Sequence, residues 1–487
     1  MKNIKKYIMD GFEPQEVLRY FEDICSIPHC SGSEHELGDY IISLANKKLL
    51  EVIKDEKGNI LIRKPSTLEK DINTPSILIQ GHMDMVCVNK DNNIDLFCEP
   101  IKLILNENIL SGDGTSLGAD NAVGLCNMLA IMMSDDVVHP PLELLFTVEE
   151  ETGFMGIKNF DMSQIQSHRM LTMDCGDPDV MVIGSAGSIK AHLNKLCEQE
   201  NLMGVPYKIS IKGLIGGHTG IEIGKDRASA VELIGRALHY LLENMPINLI
   251  SMNTISIGNS IPDSAEVILS IDQEKIETVN MIMDKLYKDI LTEYNEEKNL
   301  KFEYYVVETN ERMMVNRKDT RKIADLLLLT PYGVQERFKY NKEWVMCSSL
   351  LTSAKCNNGY FTSKFSIRSN QDGFKYKTLK KVQRICELCG VKLEVDDDIP
   401  AWVMKLGSDF QSLCKETYKE LFSEEIQLEP THGGVEAGFI SHALPWMDIV
   451  GIAPKSRGAH TYNEHLFLDT MKPFWEFLIS LLKKSCK

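Results

Sequence analysis

Residues 76–86 read SILIQGHMDMV. The short apolar run 76–80 passes straight into a polar loop, so His82 and Asp84 stand just past the end of a buried strand. The same arrangement recurs along the chain. LELLFTV (142–148) runs into EEETG, with Glu149, Glu150 and Glu151, and RMLTMD (169–174) ends in Asp174. LSGDGTSLGADNAVG (110–124) places Asp120 in a glycine-rich loop directly before NAVGLCNMLAIMM (121–133), which reads as a buried helix. WMDIVGIAPKSRGAHTYNEH (446–465) sets His460 after a last strand. Apolar strands separated by helices predict an α/β unit around a central buried sheet. In such sheets, side chains far apart in sequence converge where loops leave the carboxyl ends of the strands.

Outside these stretches the texture divides the chain in three. Residues 14–27 and 34–50 have apolar positions at helical spacing, and the α/β pattern runs to about 186. From 187 to 398 strand-like alternation, as in YKISIKGL, is broken by long amphipathic patterns at 226–245, 276–295 and 375–390, with strands expected at 301–308 and 391–397. This predicts an inserted α+β domain, doubled within itself. From 399 to 487 the first texture returns, with helices expected at 408–422 and 471–484 and a strand at 446–452.

Composition narrows the function. The 487 residues are 43% hydrophobic and 25% charged, as in globular proteins. Fifty-three Lys and Arg against 70 Asp and Glu give a net charge of −17, a poor match to a phosphate backbone, so no nucleic-acid partner is expected. No run approaches the ~18 uncharged apolar residues of a membrane span. Thirteen cysteines are scattered from Cys25 to Cys486 without paired spacing, which predicts a reducing compartment and no disulfide framework. Cys386 and Cys389 form a CxxC inside a helical pattern with no second pair, and Cys87 and Cys175 read as small packing residues. A cytoplasmic protein is the expectation.

Two histidines and several carboxylates make a set of nitrogen and oxygen donors suited to Zn²⁺, and by the same logic to Mn²⁺ or Co²⁺. A single metal would leave too many clustered carboxylates without charge compensation, whereas one carboxylate can give an oxygen to each of two. The residues alone therefore favour a two-metal hydrolase. HxD, GADN or EEETG taken singly is a weak signal; their force lies in their order and in all of them following strands.

The sequence resembles the M20 metallopeptidases, in the branch of the aminoacyl-histidine dipeptidases. The resemblance begins at IPHCSGSE (27–34) and continues beyond the stretches above through GSAGS (184–188), GGHTG (216–220), GNSIPDSA (258–265), IRSN (367–370), HGGVEAG (432–438) and GAHTYNEH (458–465). It implies a catalytic domain with a central mixed sheet flanked by helices, interrupted by a lid that also forms a homodimer. It further implies that His82 and Asp174 bind one zinc, that Glu151 and His460 bind the other, and that Asp120 bridges them. Glu150 becomes the general base on a metal-bridging water, and Asp84 the hydrogen-bond partner of His82. Reading back from Gly153 in the pattern Glu-Glu-x-Gly makes Glu150 the base and Glu151 the ligand, leaving Glu149 over. On the substrate side the resemblance implies His218 for the oxyanion, Arg368 for the free carboxylate, Asn259 beside it, and Gly434 and Glu436 toward the amino terminus. His432 reads as a turn residue.

The activity implied is hydrolysis of unblocked dipeptides, Xaa-His included. A related amidohydrolase, acting on tripeptides or N-acyl amino acids, is the nearest alternative, and a non-catalytic metal-binding relative the more distant one. HCSGSE (29–34), GKDRASA (224–230) and CSSLLTSAKCNNG (347–359) depart from the family pattern and bear on side-chain specificity rather than on the metal ligands.

Overall fold

The computed structural model describes residues 6–68, 74–91, 94–255 and 260–486. The chain forms two compact units. The first comprises residues 1–185, 402–431 and 435–487, and the second residues 186–401 together with 432–434.

The first unit is built on an eight-stranded mixed sheet in the order Glu51–Lys54, Ile60–Lys64, Leu142–Thr147, Ile77–His82, Arg169–Thr172, Asp448–Gly451, Val180–Ser185 and Gln427–Thr431. Ile77–His82 lies parallel to both of its neighbours, and every residue in it and in Leu142–Thr147 is buried. Continuous apolar runs, rather than alternating ones, suit strands covered on both faces. The helix Ala119–Met133 is buried along nearly its whole length. Its last carbonyls are met by a buried lysine: Lys64 Nζ donates to Ile131 O at 2.7 Å and Ser134 O at 2.6 Å. Pro14 opens the helix Gln15–Cys25, which stops before Ile27-Pro28 because the residue preceding a proline is pushed out of the helical region.

A separate four-stranded sheet orders Ser456–Arg457, His465–Phe467, Ile109–Gly112 and Leu103–Asn106. Pairing of His465 with Ser111 draws the loop containing His460 alongside the glycine-rich loop containing Asp120.

The second unit is a nine-stranded antiparallel sheet. Its main path runs Lys301–Val306, Val205–Lys212, Ser264–Ile271, Asn248–Ile255, Val345–Asn357, Tyr360–Ser369, Gly187–Leu196 and Lys392–Ile399, with Gly333–Arg337 added to Val345–Asn357. Helices Ala230–Asn244, Ile276–Glu293, Arg317–Leu329 and Asp372–Cys389 contribute their apolar faces to one large core. The first of these begins at Ala230 rather than 226, since Asp226 takes a left-handed conformation and Ser229 is extended. Residues 347–359, which depart from the family pattern, form most of a long hairpin. It turns at Asn358-Gly359, both with positive φ, and pairs Asn357 with Tyr360.

The cysteine reading needs one correction. Cys30 and Cys87 are joined as a disulfide, their Cα atoms 5.6 Å apart, while the other eleven are free. Cys386 and Cys389 are among the free ones, buried in the helix Asp372–Cys389. Among the described residues, no helix is long and apolar enough to cross a membrane.

Candidate metal centre

His82 ends the most central parallel strand of the first unit and is buried. Its Nδ1 lies 2.9 Å from the backbone carbonyl of Asp84, which orients the ring so that Nε2 faces Asp120 Oδ1 at 3.1 Å and Asp174 Oδ1 at 3.2 Å. Burial works against a charged imidazole here. Asp174, Asp120 and Asp84 outweigh it and hold the His82 pKa well above the ordinary histidine value.

Asp84 faces His82 with both its carbonyl and its carboxylate. The closest contact of His82 Nδ1 is the Asp84 carbonyl, and the carboxylate stands farther off at 3.4 Å. That carboxylate also accepts the backbone N–H of Glu150 at 2.9 Å, the N–H of Glu151 at 3.1 Å and the Ser31 hydroxyl at 2.8 Å. It therefore fixes the turn that presents the acidic run. Glu149, the residue left over, has a positive φ, pairs with Lys57 Nζ at 2.8 Å and donates its N–H to Glu34.

Asp120 opens the buried helix with non-helical φ and ψ, preceded by Gly118 in the left-handed region. A Cβ at Gly118 would lie 2.7 Å from Met85 Sδ, so this turn needs glycine both for its φ and for its space. Asp120 Oδ1 faces His82, and Oδ2 lies 3.4 Å from His460 Nε2. His460 Nε2 is also 2.7 Å from Glu151 Oε1. Hydrogen bonds from Asp120 and Glu151 raise the His460 pKa to about 10, and burial opposes them. Burial also opposes ionisation of Asp120, yet its two histidine partners hold it below the carboxylate range. Asp174 is pushed up to about 6 by burial, against the pull of His82. Glu150 is raised well above the usual value by burial, reinforced by Asp174, Glu151 and Glu436 and opposed by His82.

Among the described residues, three groups of donors are each compact enough for one cation: His82, Asp120 and Asp174; Asp120, Glu151 and His460; and His82, Glu150 and Glu151. A metal fits this donor set. The imidazoles and carboxylates are mixed nitrogen and oxygen ligands, and Asp120 belongs to two of the groups with a different oxygen turned toward each histidine.

Glu436 bonds to residues of the strands Ile77–His82 and Leu142–Thr147. It is fully buried and accepts Gln80 Nε2 at 2.6 Å and Thr147 Oγ1 at 2.5 Å, while Thr172 Oγ1 donates to Gln80 Oε1 at 2.9 Å. Burial raises its carboxyl to about 8. Gln80, Thr147 and Thr172 were invisible as functional residues, although all three sit on the strands that carry or precede the acidic loops.

In the second unit, Arg368 on Tyr360–Ser369 is buried and donates Nε–H to Thr219 Oγ1 at 3.1 Å, next to His218. Burial lowers its pKa to about 10. His218 Nδ1 accepts the Gly220 N–H at 3.2 Å. His432 is more than a turn residue: its ring contacts Ser348 Oγ at 2.8 Å and Asn370 Oδ1 at 3.2 Å. Burial and Arg368 hold its pKa down to about 3. Gly434 is partly buried, and Asn259 lies outside the described residues.

Residues 78–484 match the description of peptidase family M20/M25/M40. The chain belongs to this family. It is 31% identical over 483 residues to the cytosol non-specific dipeptidase of Escherichia coli (strain K12), across 98% of this chain and 99% of that protein. Its fold matches the crystal structure of aminoacylhistidine dipeptidase from Vibrio alginolyticus with a TM-score of 0.89 at 26% identity, over 97% of each chain. The aminopeptidase PepT from Bacillus cereus ATCC 10987 shares the fold at a TM-score of 0.56 and 16% identity, over 98% of this chain and all of that one. As a member of the family, the chain is a peptide-bond hydrolase.

Proposed function

We propose that the protein is a two-zinc dipeptidase that hydrolyses unblocked dipeptides, Xaa-His among them, in the cytoplasm. One observation carries the reading above the others: Asp120 turns one oxygen toward His82 and the other toward His460. His82 and Asp174 would hold one cation, Glu151 and His460 the other, with Asp120 shared. Manganese and cobalt satisfy the same donors. The names of the full-length relative in Escherichia coli and of the Vibrio structure support dipeptides as the substrate class.

Bound divalent cations polarise a scissile carbonyl and make water nucleophilic near neutral pH. The remaining tasks fall to the chain. Glu150, whose basicity burial has raised, takes the proton of the attacking water and delivers it to the departing amine. Asp84 holds the backbone of Glu150 and Glu151, keeping base and ligand in one register. A planar guanidinium suits a free α-carboxylate, and that role is assigned to Arg368. His218 is assigned to the developing oxyanion, with Asn259 and Gly434 as further substrate contacts.

The test is a panel of Ala-His, Gly-His, a tripeptide and an N-acetyl amino acid, with and without chelator. Chelator-sensitive cleavage confined to the dipeptides supports the proposal. Preference for the tripeptide or the N-acetyl compound replaces it with the corresponding amidohydrolase. Sedimentation equilibrium tests the homodimer that belongs to the same reading.

A further inference from the structure

Glu464 belongs to none of the three donor groups, yet it is only 2% exposed and makes a concentrated set of hydrogen bonds. Oε2 accepts the backbone N–H of Leu117 and of Gly118, each at 2.8 Å, and Oε1 accepts the N–H of Asp120 at 3.1 Å. The partners are 344 to 347 residues away in sequence, so this is a tertiary clamp and not a local turn. The clamped segment is the one whose last residue offers both of its carboxylate oxygens to the centre.

The other end of the clamp is equally constrained. Glu464 stands four residues after His460, and its own N–H is bonded to Thr461 O at 3.2 Å. The next residue, His465, begins the strand paired with Ile109–Gly112. Gly458, on the other side of His460, packs so closely on Asn463 that a Cβ there would lie 2.9 Å from its carbonyl oxygen. His460 itself is held with a positive φ, an uncommon conformation for a residue with a side chain. One buried carboxylate thus ties the loop that presents His460 to the turn that presents Asp120.

We propose that Glu464 is a positioning residue of the metal centre, setting the separation between Asp120 and His460 and so the affinity for the cation shared by Asp120, Glu151 and His460. A carboxylate suits this task because all three of its partners are donors, and hydrogen bonds to a charged acceptor are the stronger kind. A glutamine would turn an NH₂ group toward one of those N–H donors. The inference rests on the two-cation reading given above.

The test is zinc titration by calorimetry of the metal-stripped full-length chain, comparing wild type with Glu464→Gln. Near-UV circular dichroism of the metal-free proteins serves as the folding control. Wild type is expected to take two equivalents. Glu464→Gln is expected to keep one at wild-type affinity, to bind the second at least tenfold more weakly, and to retain one equivalent after dialysis. Its kcat is expected to fall at least tenfold, with KM for a dipeptide within twofold. Two equivalents at wild-type affinity in the variant overturn the inference, and so does equal weakening of both. If Glu464→Gln does not fold, Glu464→Asp, which keeps both oxygens one methylene short, is read by the same criteria. Failure of wild type to take two equivalents instead overturns the two-cation reading itself, so the two failures are distinguishable.

Discussion

Replacing Asp84 by asparagine isolates what its buried carboxylate does. The side chain is 1% exposed and accepts three hydrogen bonds, from Glu150 N at 2.9 Å, Glu151 N at 3.1 Å and Ser31 Oγ at 2.8 Å. Asparagine keeps one acceptor oxygen. If the amide nitrogen takes the place of Oδ1, it faces the N–H of Glu150. If it takes the place of Oδ2, Ser31 can rotate to accept from it, but the N–H of Glu151 is left facing a donor. Either orientation strands one buried backbone N–H, at about 1–3 kcal/mol, and weakens the surviving bonds by removing the charge. The expected loss of unfolding free energy is about 2–4 kcal/mol, read from urea denaturation of the metal-free protein. The catalytic loss should be larger than this suggests, since the stranded N–H belongs to the base or to a ligand. A shift of about 1 Å in either costs on the order of 10²-fold in rate. Ser31→Ala is the control: it removes the hydroxyl's bond to Asp84 and its longer one to the Met85 carbonyl, leaves both backbone donors satisfied, and should cost only about 1 kcal/mol. An Asp84→Asn protein with wild-type kcat and denaturation midpoint would refute the reasoning.

Three further outcomes are expected. Glu150→Gln should lose at least about 10²-fold in kcat, the lower end of a general base's contribution, while zinc calorimetry still shows wild-type stoichiometry; unchanged turnover would remove Glu150 as the base. His432 has a folded pKa near 3, against about 6.5 unfolded, so the stability it confers is complete above pH 6.5 and is lost as the pH falls toward 3. Wild type should therefore lose about 2 kcal/mol more than His432→Gln between pH 7 and 5, and parallel stability curves would contradict this. Thiol titration of the denatured, unreduced protein should count eleven of the thirteen cysteines, and Cys30→Ser should lower the stability by about 2–4 kcal/mol; thirteen reactive thiols would rule out the bond.

What the sequence revealed follows from how each feature is encoded. Buried strands such as Ile77–His82 and Leu142–Thr147 are uninterrupted apolar runs, and the acidic and histidine residues at their ends stand out for that reason. Helices with one apolar stripe, such as Met471–Lys484, show the same clarity. The donors brought together around His82 and around His460 could be named because strand ends in an α/β sheet converge. Other features depend on pairing across the fold and leave no local mark. Residues 347–359 stood out only as a departure from the family pattern, although Asn358-Gly359 is a hairpin signal that could have exposed the long strand pair. The Cys30–Cys87 bond spans 57 residues with no recurring spacing. The Asp84 carboxylate satisfies backbone groups of the acidic turn, and backbone donors are invisible in a pattern of side chains. Glu436 shows the same limit: its motif is conspicuous, but its bonds to Gln80 and Thr147 join residues far apart in the chain.

The central claim is that two cations sharing Asp120 make this chain a dipeptidase, and reconstitution tests it most directly. Metal-stripped protein is titrated with zinc while hydrolysis of Ala-His is followed against bound metal. The account predicts activity that rises to its plateau at two equivalents per chain. Full activity at one equivalent, or activity indifferent to metal, would contradict it.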